Sequence, residues 1–246
     1  MSLLMAELVG TMILILLGDG VVANVVLSKN KGEGGGGGGA WIVITAGWGF
    51  AVAVAVYITG WVSGAHINPA VTIGLVSIGS LDVGSAFLYI IGQFIGAFLG
   101  AVLVFIAYYD HFKATDDPGL KLAVFSTGPA IRNTPMNLIT EIIGTAMLLI
   151  GVLGITNANN GLGSGITPYL VGILVFSIGL SLGGPTGYAI NPARDLGPRI
   201  AHAVLPIPGK GSSDWEYSWI PVVGPIIGGI LGCMLYQFLF LPMWGG

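Results

Sequence analysis

Apolar runs long enough to cross a bilayer alternate with short polar connectors along almost the whole chain. A helix needs about 20 mainly apolar residues to span the hydrocarbon layer. Six stretches qualify, roughly Leu3–Leu27, Ala40–Trp61, Val83–Tyr108, Met136–Ile155, Thr167–Leu182 and Ser218–Leu241, the fifth being short. Two further apolar segments are too short to span. They begin at Asn68-Pro69-Ala70 and Asn191-Pro192-Ala193 and end near Ser77–Ser80 and His202–Val204. Asn followed by Pro starts a helix well, since Asn caps exposed amides and Pro has no amide to lose. An unwound loop feeding a half-helix is tolerated at membrane depth only where it is buried in protein or lines a water-filled cavity. The pattern therefore points to a pore or a binding site.

Three landmarks recur in the same order. Ala6-Glu7-Leu8-Val9-Gly10-Thr11 is echoed by Thr140-Glu141-Ile142-Ile143-Gly144-Thr145, an offset of 134 residues. The frame Ser63-Gly64-Ala65-His66-Ile67-Asn68-Pro69-Ala70 returns as Thr186-Gly187-Tyr188-Ala189-Ile190-Asn191-Pro192-Ala193, an offset of 123. Gly92, Gly96 and Gly100 return as Gly224, Gly228 and Gly232, an offset of 132. Each half (about 1–115 and 135–246) thus holds three spans and one half-helix. Three is odd, so the halves lie in opposite orientations, a plan that places the site at the midplane where broken helices meet. Residues 1–246 read as one domain. The glycine rows are packing surfaces, because small residues every fourth position let helices approach closely in lipid.

Composition agrees with this pattern. The chain is 54% hydrophobic and 8% charged, against about 25% charged in soluble domains. A net charge of -3 with scattered basic residues gives no basis for a nucleic-acid partner. The single cysteine, Cys233, excludes an intrachain disulfide and reads as a small buried or lipid-facing residue. The N-terminus lacks a basic region ahead of its apolar run and reads as a first span rather than a removable signal. Gly34–Gly39 read as a flexible tether. The connector from Asp110 to Thr134 reads as polar.

Few side chains carry chemistry. A carboxylate in an apolar span is costly unless it is hydrogen-bonded or paired. Glu7 and Glu141 are therefore expected to be structural anchors that accept hydrogen bonds from the loop leading to each half-helix, with a proton relay as the lesser reading. Asp19 is left unplaced. His66 has no second ligand at metal spacing, so a lining or packing role is expected, and His111 and His202 are read as structural. No catalytic residue, metal or cofactor is expected.

The doubled frame, the paired Glu spans and the six-plus-two arrangement together resemble the aquaporin or major intrinsic protein superfamily. Within it, the run Gly187-Tyr188-Ala189-Ile190-Asn191-Pro192-Ala193-Arg194-Asp195-Leu196-Gly197-Pro198-Arg199 is similar to the glycerol-facilitator branch, whose marker is the Asp after the second Asn-Pro-Ala-Arg. The resemblance covers essentially the whole chain. It implies an all-α membrane protein with six transmembrane helices and two re-entrant half-helices in an inverted repeat, the aquaporin fold. It also implies a homotetramer in the plasma membrane of a prokaryote, with both termini cytoplasmic. The pore would conduct glycerol, related small polyols and water while excluding ions and protons; a water-selective channel and a coupled secondary transporter are the alternatives.

By position, the resemblance assigns the pore centre to Asn68, Pro69, Ala70, Asn191, Pro192 and Ala193. It assigns the selectivity filter to Trp48, Gly179, Tyr188 and Arg194, and lining carbonyls to Gly64, Ala65, His66, Gly187, Tyr188 and Ala189. Asp195 joins Glu7 and Glu141 as an anchor. The branch usually has Phe where this chain has Tyr188, so the added hydroxyl is expected either to narrow the pore or to offer a further hydrogen bond. Lys29, Lys31, Lys113, Lys121, Arg132 and Lys210 all fall on one side. Charge counting alone would place that side in the cytoplasm, whereas the resemblance places it outside.

Overall fold

In the computed structural model, which describes residues 2–32, 40–163 and 165–244, nearly every apolar run becomes a helix. The long helices are α1 (Leu3–Val26), α2 (Ala40–Ser63), α4 (Val83–Ala107), α7 (Thr134–Ile155), α8 (Thr167–Leu182) and α10 (Ile220–Leu235). The half-helices are α3 (Pro69–Ser77) and α9 (Pro192–Val204). Gly34–Gly39, read as a tether, lie outside the described residues. Among the described residues, five helices are long and apolar enough to cross a membrane, the last counted through Trp244. At 16 residues α8 is shorter, about 24 Å at 1.5 Å per residue.

Short polar side chains start these helices. Ser2 caps α1, Asp82 caps α4 and Asn133 caps α7, each accepting a hydrogen bond from an amide three residues on. The bundle is inverted relative to a soluble protein: Phe50, Trp61, Phe87, Ile106 and Phe238 point outward, while Glu7, Asp19, Gln93, Glu141 and Arg199 are buried. Helices apolar on their outer face and polar within need a lipid surround.

The two halves pack by equivalent contacts. In the first, α1 lies against α4, and a Cβ on Gly96 would fall 2.2 Å from the Leu8 carbonyl oxygen. In the second, α7 lies against α10, and a Cβ on Gly228 would fall 2.3 Å from the carbonyl of Ile142. Between the halves, α2 crosses α8 at Gly49 and Gly172, which share the 123-residue offset. That crossing of equivalent residues marks the inverted repeat.

The polar connector from Asp110 to Thr134 is partly helical. It holds two short helices, α5 (Tyr109–Ala114) and α6 (Pro118–Phe125). Asp117 caps α6 through a 2.7 Å bond to the Gly119 amide, with Pro118 at the first helical position. The connector packs with residues 28–31 and 205–217 into one cap over the bundle. Ser28 donates its amide to Thr115 Oγ1 at 2.9 Å, and Lys121 Nζ donates to the Pro208 carbonyl. Lys210 Nζ closes the C-terminus of α9 by donating to the carbonyls of His202, Ala203 and Leu205 at 2.6–2.8 Å. Arg132 pairs with Asp214. These basic residues do structural work inside the cap, which weakens their use as a count of cytoplasmic charge.

Candidate functional site

Two loops at the half-helix N-termini adopt the same unusual backbone. Gly64, Ala65 and Ile67 have φ of 80, 47 and 46°; Gly187, Tyr188 and Ile190 have φ of 81, 41 and 43°. Non-glycine residues pay for this left-handed region and persist there only where the surroundings over-determine them. Glu7 and Glu141 supply that constraint. Glu7 Oε1 accepts from Ser63 Oγ at 2.6 Å and the His66 amide at 3.0 Å; its Oε2 accepts from the Ile67 amide at 2.7 Å and Gln93 Nε2 at 2.8 Å. Glu141 Oε1 accepts from Thr186 Oγ1 at 2.6 Å and the Ala189 amide at 3.0 Å, and its Oε2 from the Ile190 amide at 2.8 Å. Gln93 has no equivalent in the second half, where the offset of 132 falls on Pro225.

The half-helices meet through their asparagines. Asn68 Oδ1 caps α3 by accepting from the Ala70 amide at 2.8 Å, and Asn191 Oδ1 caps α9 by accepting from the amides of Ala193 and Arg194. Each side-chain amide then crosses to the other half. Asn68 Nδ2 donates to the Ile190 carbonyl, and Asn191 Nδ2 donates to the Ile67 carbonyl, both at 2.8 Å. Pro69, Ala70, Pro192 and Ala193 form the buried first turns beneath them.

A cavity of about 260 Å³ runs past this junction. Its wall includes Gly64, Ala65, His66, Asn68, Tyr188, Ala189, Asn191, Arg194 and Trp48, with a long apolar side from Val52, Val56, Leu75, Leu148, Val171 and Val175. Gly179 and Gly187 are not on this wall. Gly179 instead makes room for Tyr188: a Cβ there would fall 2.8 Å from the phenol ring. Trp41 holds that ring from the side, edge-on at 5.8 Å, and donates its Nε1 to the Gly179 carbonyl at 3.0 Å. The Tyr188 hydroxyl is buried and has no hydrogen-bond partner among the described residues.

The Arg194 guanidinium lies 4.1 Å over the Trp48 ring. His66 Nδ1 lies 3.1 Å from Thr72 Oγ1, and its ring packs edge-on to Tyr89 at 4.7 Å. His202 is buried against Ser213 Oγ at 2.8 Å, and Cys233 is buried beside Gly74.

Asp195 serves the scaffold of α9. Its Oδ2 accepts from the amide and hydroxyl of Thr127, both at 2.7 Å, and its Oδ1 accepts from Arg199 Nε at 2.9 Å. Arg199 donates onward to the Ser213 and Thr127 carbonyls at 2.7 and 2.9 Å. This fully buried clamp ties α9 to two cap loops. Sequence reasoning did not reach Gln93, Thr127 or Arg199, whose roles need partners 68 or more residues away. The Arg at four residues after Asp195 was the available signal, an i,i+4 pair on one helix face.

A pseudo-symmetric bundle with two capped half-helices meeting beside an internal cavity defines a membrane channel of the six-plus-two class. The chain belongs to the major intrinsic protein family, whose model matches residues 1–236. It is 65% identical over 240 residues to a probable glycerol uptake facilitator protein of Thermotoga maritima, covering 98% of this chain and 100% of that one. It is 52% identical to the glycerol uptake facilitator protein of Bacillus subtilis, covering 98% and 85%. Among solved structures, the aquaglyceroporin of Plasmodium falciparum superposes with a TM-score of 0.85 at 30% identity, covering 98% and 96%. The protein is an integral membrane protein with the aquaporin fold.

Proposed function

We propose that the chain is a passive channel for glycerol and similar small uncharged solutes, and for water, working as one channel domain per subunit of a homotetramer in the plasma membrane. The observation that carries this reading is the cavity at the half-helix junction, with an aromatic face, a guanidinium and two asparagine amides on one wall. A polyol has a carbon–hydrogen side and a hydroxyl side. Trp48 and Tyr188 offer an apolar wall to the first, and Gly179 sets how far the Tyr188 ring withdraws. Arg194 offers fixed donors that stay charged at any working pH. Carbonyls of Gly64, Ala65, His66, Tyr188 and Ala189 replace lost water as acceptors, as in other filters. Asn68 and Asn191 present amides at the midpoint.

Exclusion of ions follows from the same parts. Each half-helix N-terminus carries roughly half a positive charge toward the junction. Together with Arg194 these oppose cations and protons, so neutral solutes pass without current. The cap that gathers the basic loops faces outside and both termini face the cytoplasm.

Stopped-flow light scattering on proteoliposomes tests the reading. Re-swelling in an inward glycerol gradient well above that of empty liposomes is the expected result. Fast osmotic shrinkage without re-swelling would make the pore water-selective, and neither rate above empty liposomes would remove the channel reading.

A further inference from the structure

One buried charge pair breaks the internal symmetry. The offset of 123 takes Arg194 back to Val71, and the offset of 134 takes Asp19 forward to Leu153. Both of those apolar residues line the cavity. Helix α1 meets α9 as α7 meets α3, yet only the first contact carries charge. Something specific to one mouth of the pore requires it.

Asp19 is fully buried, and neither carboxylate oxygen has a hydrogen-bond partner. Its Oδ1 lies 3.9 Å from Arg194 Nη1, a nitrogen that is itself buried and unbonded. A carboxylate that accepts no hydrogen bond is not kept charged inside an apolar bundle without a compensating charge. Arg199 is already committed to Asp195, so Arg194 is the cation within reach. The preceding residue gives a second observation. A Cβ on Gly18 would fall 2.3 Å from the Trp48 indole, the ring on which the Arg194 guanidinium stacks. Successive residues of α1 thus seat both groups: Gly18 admits the indole and Asp19 faces the guanidinium.

We infer that Asp19 is the counter-ion of Arg194 and a positioning residue of the filter, an inference that rests on the pore reading above. It holds the Nη1 edge of the guanidinium against α1. Nε and Nη2, which have no hydrogen-bond partner among the described residues, stay available to solute. It also offsets the filter's charge, so hydroxylated neutral solutes meet fixed donors without the anion attraction of an unpaired guanidinium. The charge of the filter is therefore set jointly by the first span and the second half-helix.

Four proteoliposome preparations test this: wild type, Asp19→Asn, Arg194→Val and the double variant. Glycerol re-swelling, chloride flux and proton leak under a potassium diffusion potential are measured in each. Asp19→Asn is nearly isosteric, so the expected result is assembled protein with chloride flux raised about tenfold and glycerol slowed, the sign set by an uncompensated positive charge. Arg194→Val leaves the carboxylate alone and is expected to raise proton leak, which adding Asp19→Asn removes. Asp19→Asn matching wild type in glycerol and chloride flux would overturn the inference, as would equal proton leak from Arg194→Val and the double variant. Should Asp19→Asn fail to assemble, recovery of folded protein on adding Arg194→Val supports the pair, and no recovery refutes it. If Arg194→Val changes none of the three rates, the filter reading itself falls, and the inference with it.

Discussion

The side-chain amide of Asn68 donates to the backbone carbonyl of Ile190 at 2.8 Å, so the first half of the chain is bonded to the second at its midpoint. Asn191 returns the bond to Ile67 at the same distance. Each asparagine therefore joins a helix cap to a bridge between halves, and both are lost together on substitution. Asn68→Ala should lower stability by more than a cap alone, which costs about 1 kcal/mol. Thermal unfolding of the detergent-solubilised protein measures it; a loss no larger than that of a surface cap such as Ser2→Ala would show that the bridge contributes nothing.

Glu7 accepts four hydrogen bonds and has no room for a donor group. In Glu7→Gln, the new NH2 group must face either Ser63 Oγ and the His66 amide or the Ile67 amide and Gln93. Leaving buried donors unsatisfied costs about 1–3 kcal/mol each. The unfolding midpoint should fall and glycerol rate per folded protein should drop, because the left-handed loop loses its constraint. Retained stability and rate would contradict the anchor role.

Removal of one partner from the Asp195–Arg199 clamp leaves a buried charge alone. Asp195→Asn should destabilise by about 3–5 kcal/mol, while replacing both residues with apolar ones of similar volume should recover most of that loss. Denaturation of the wild type and these two variants side by side decides the matter. Equal loss in single and double variants would mean that the clamp acts only through shape.

Tyr188 carries a buried hydroxyl with no hydrogen-bond partner among the described residues. Tyr188→Phe should keep stability or raise it by about 1 kcal/mol, since an unsatisfied buried hydroxyl is a cost. Glycerol re-swelling should stay within about twofold of the original, as no hydrogen bond within the protein is lost. A large fall in glycerol rate would place the hydroxyl on the conduction path.

The legible parts of this protein were those written twice. Asn68 and Asn191, Glu7 and Glu141, and the glycine rows each had a partner at a fixed offset, and half-helices too short to span marked the junction. Parts occurring once were harder to read. Asp19 sits in a uniformly apolar span that gives no register, so nothing in the sequence says which way it faces. Gln93 and Thr127 act through partners brought near only by the fold. The helix α6 was missed although Asp117-Pro118 is a good start signal, because the surrounding connector is polar. Gly179 was placed by resemblance, and the contact its missing side chain allows with the Tyr188 ring appears only in the packing.

The central claim is passive conduction of a neutral solute, and the dependence of glycerol influx on concentration tests it most directly. Proteoliposomes would be challenged with glycerol from micromolar to near-molar levels, with and without an uncoupler. A rate coefficient that stays constant across the range and ignores the uncoupler is the predicted result. Saturation of influx at low concentration together with inhibition by the uncoupler would contradict the account and identify a coupled transporter.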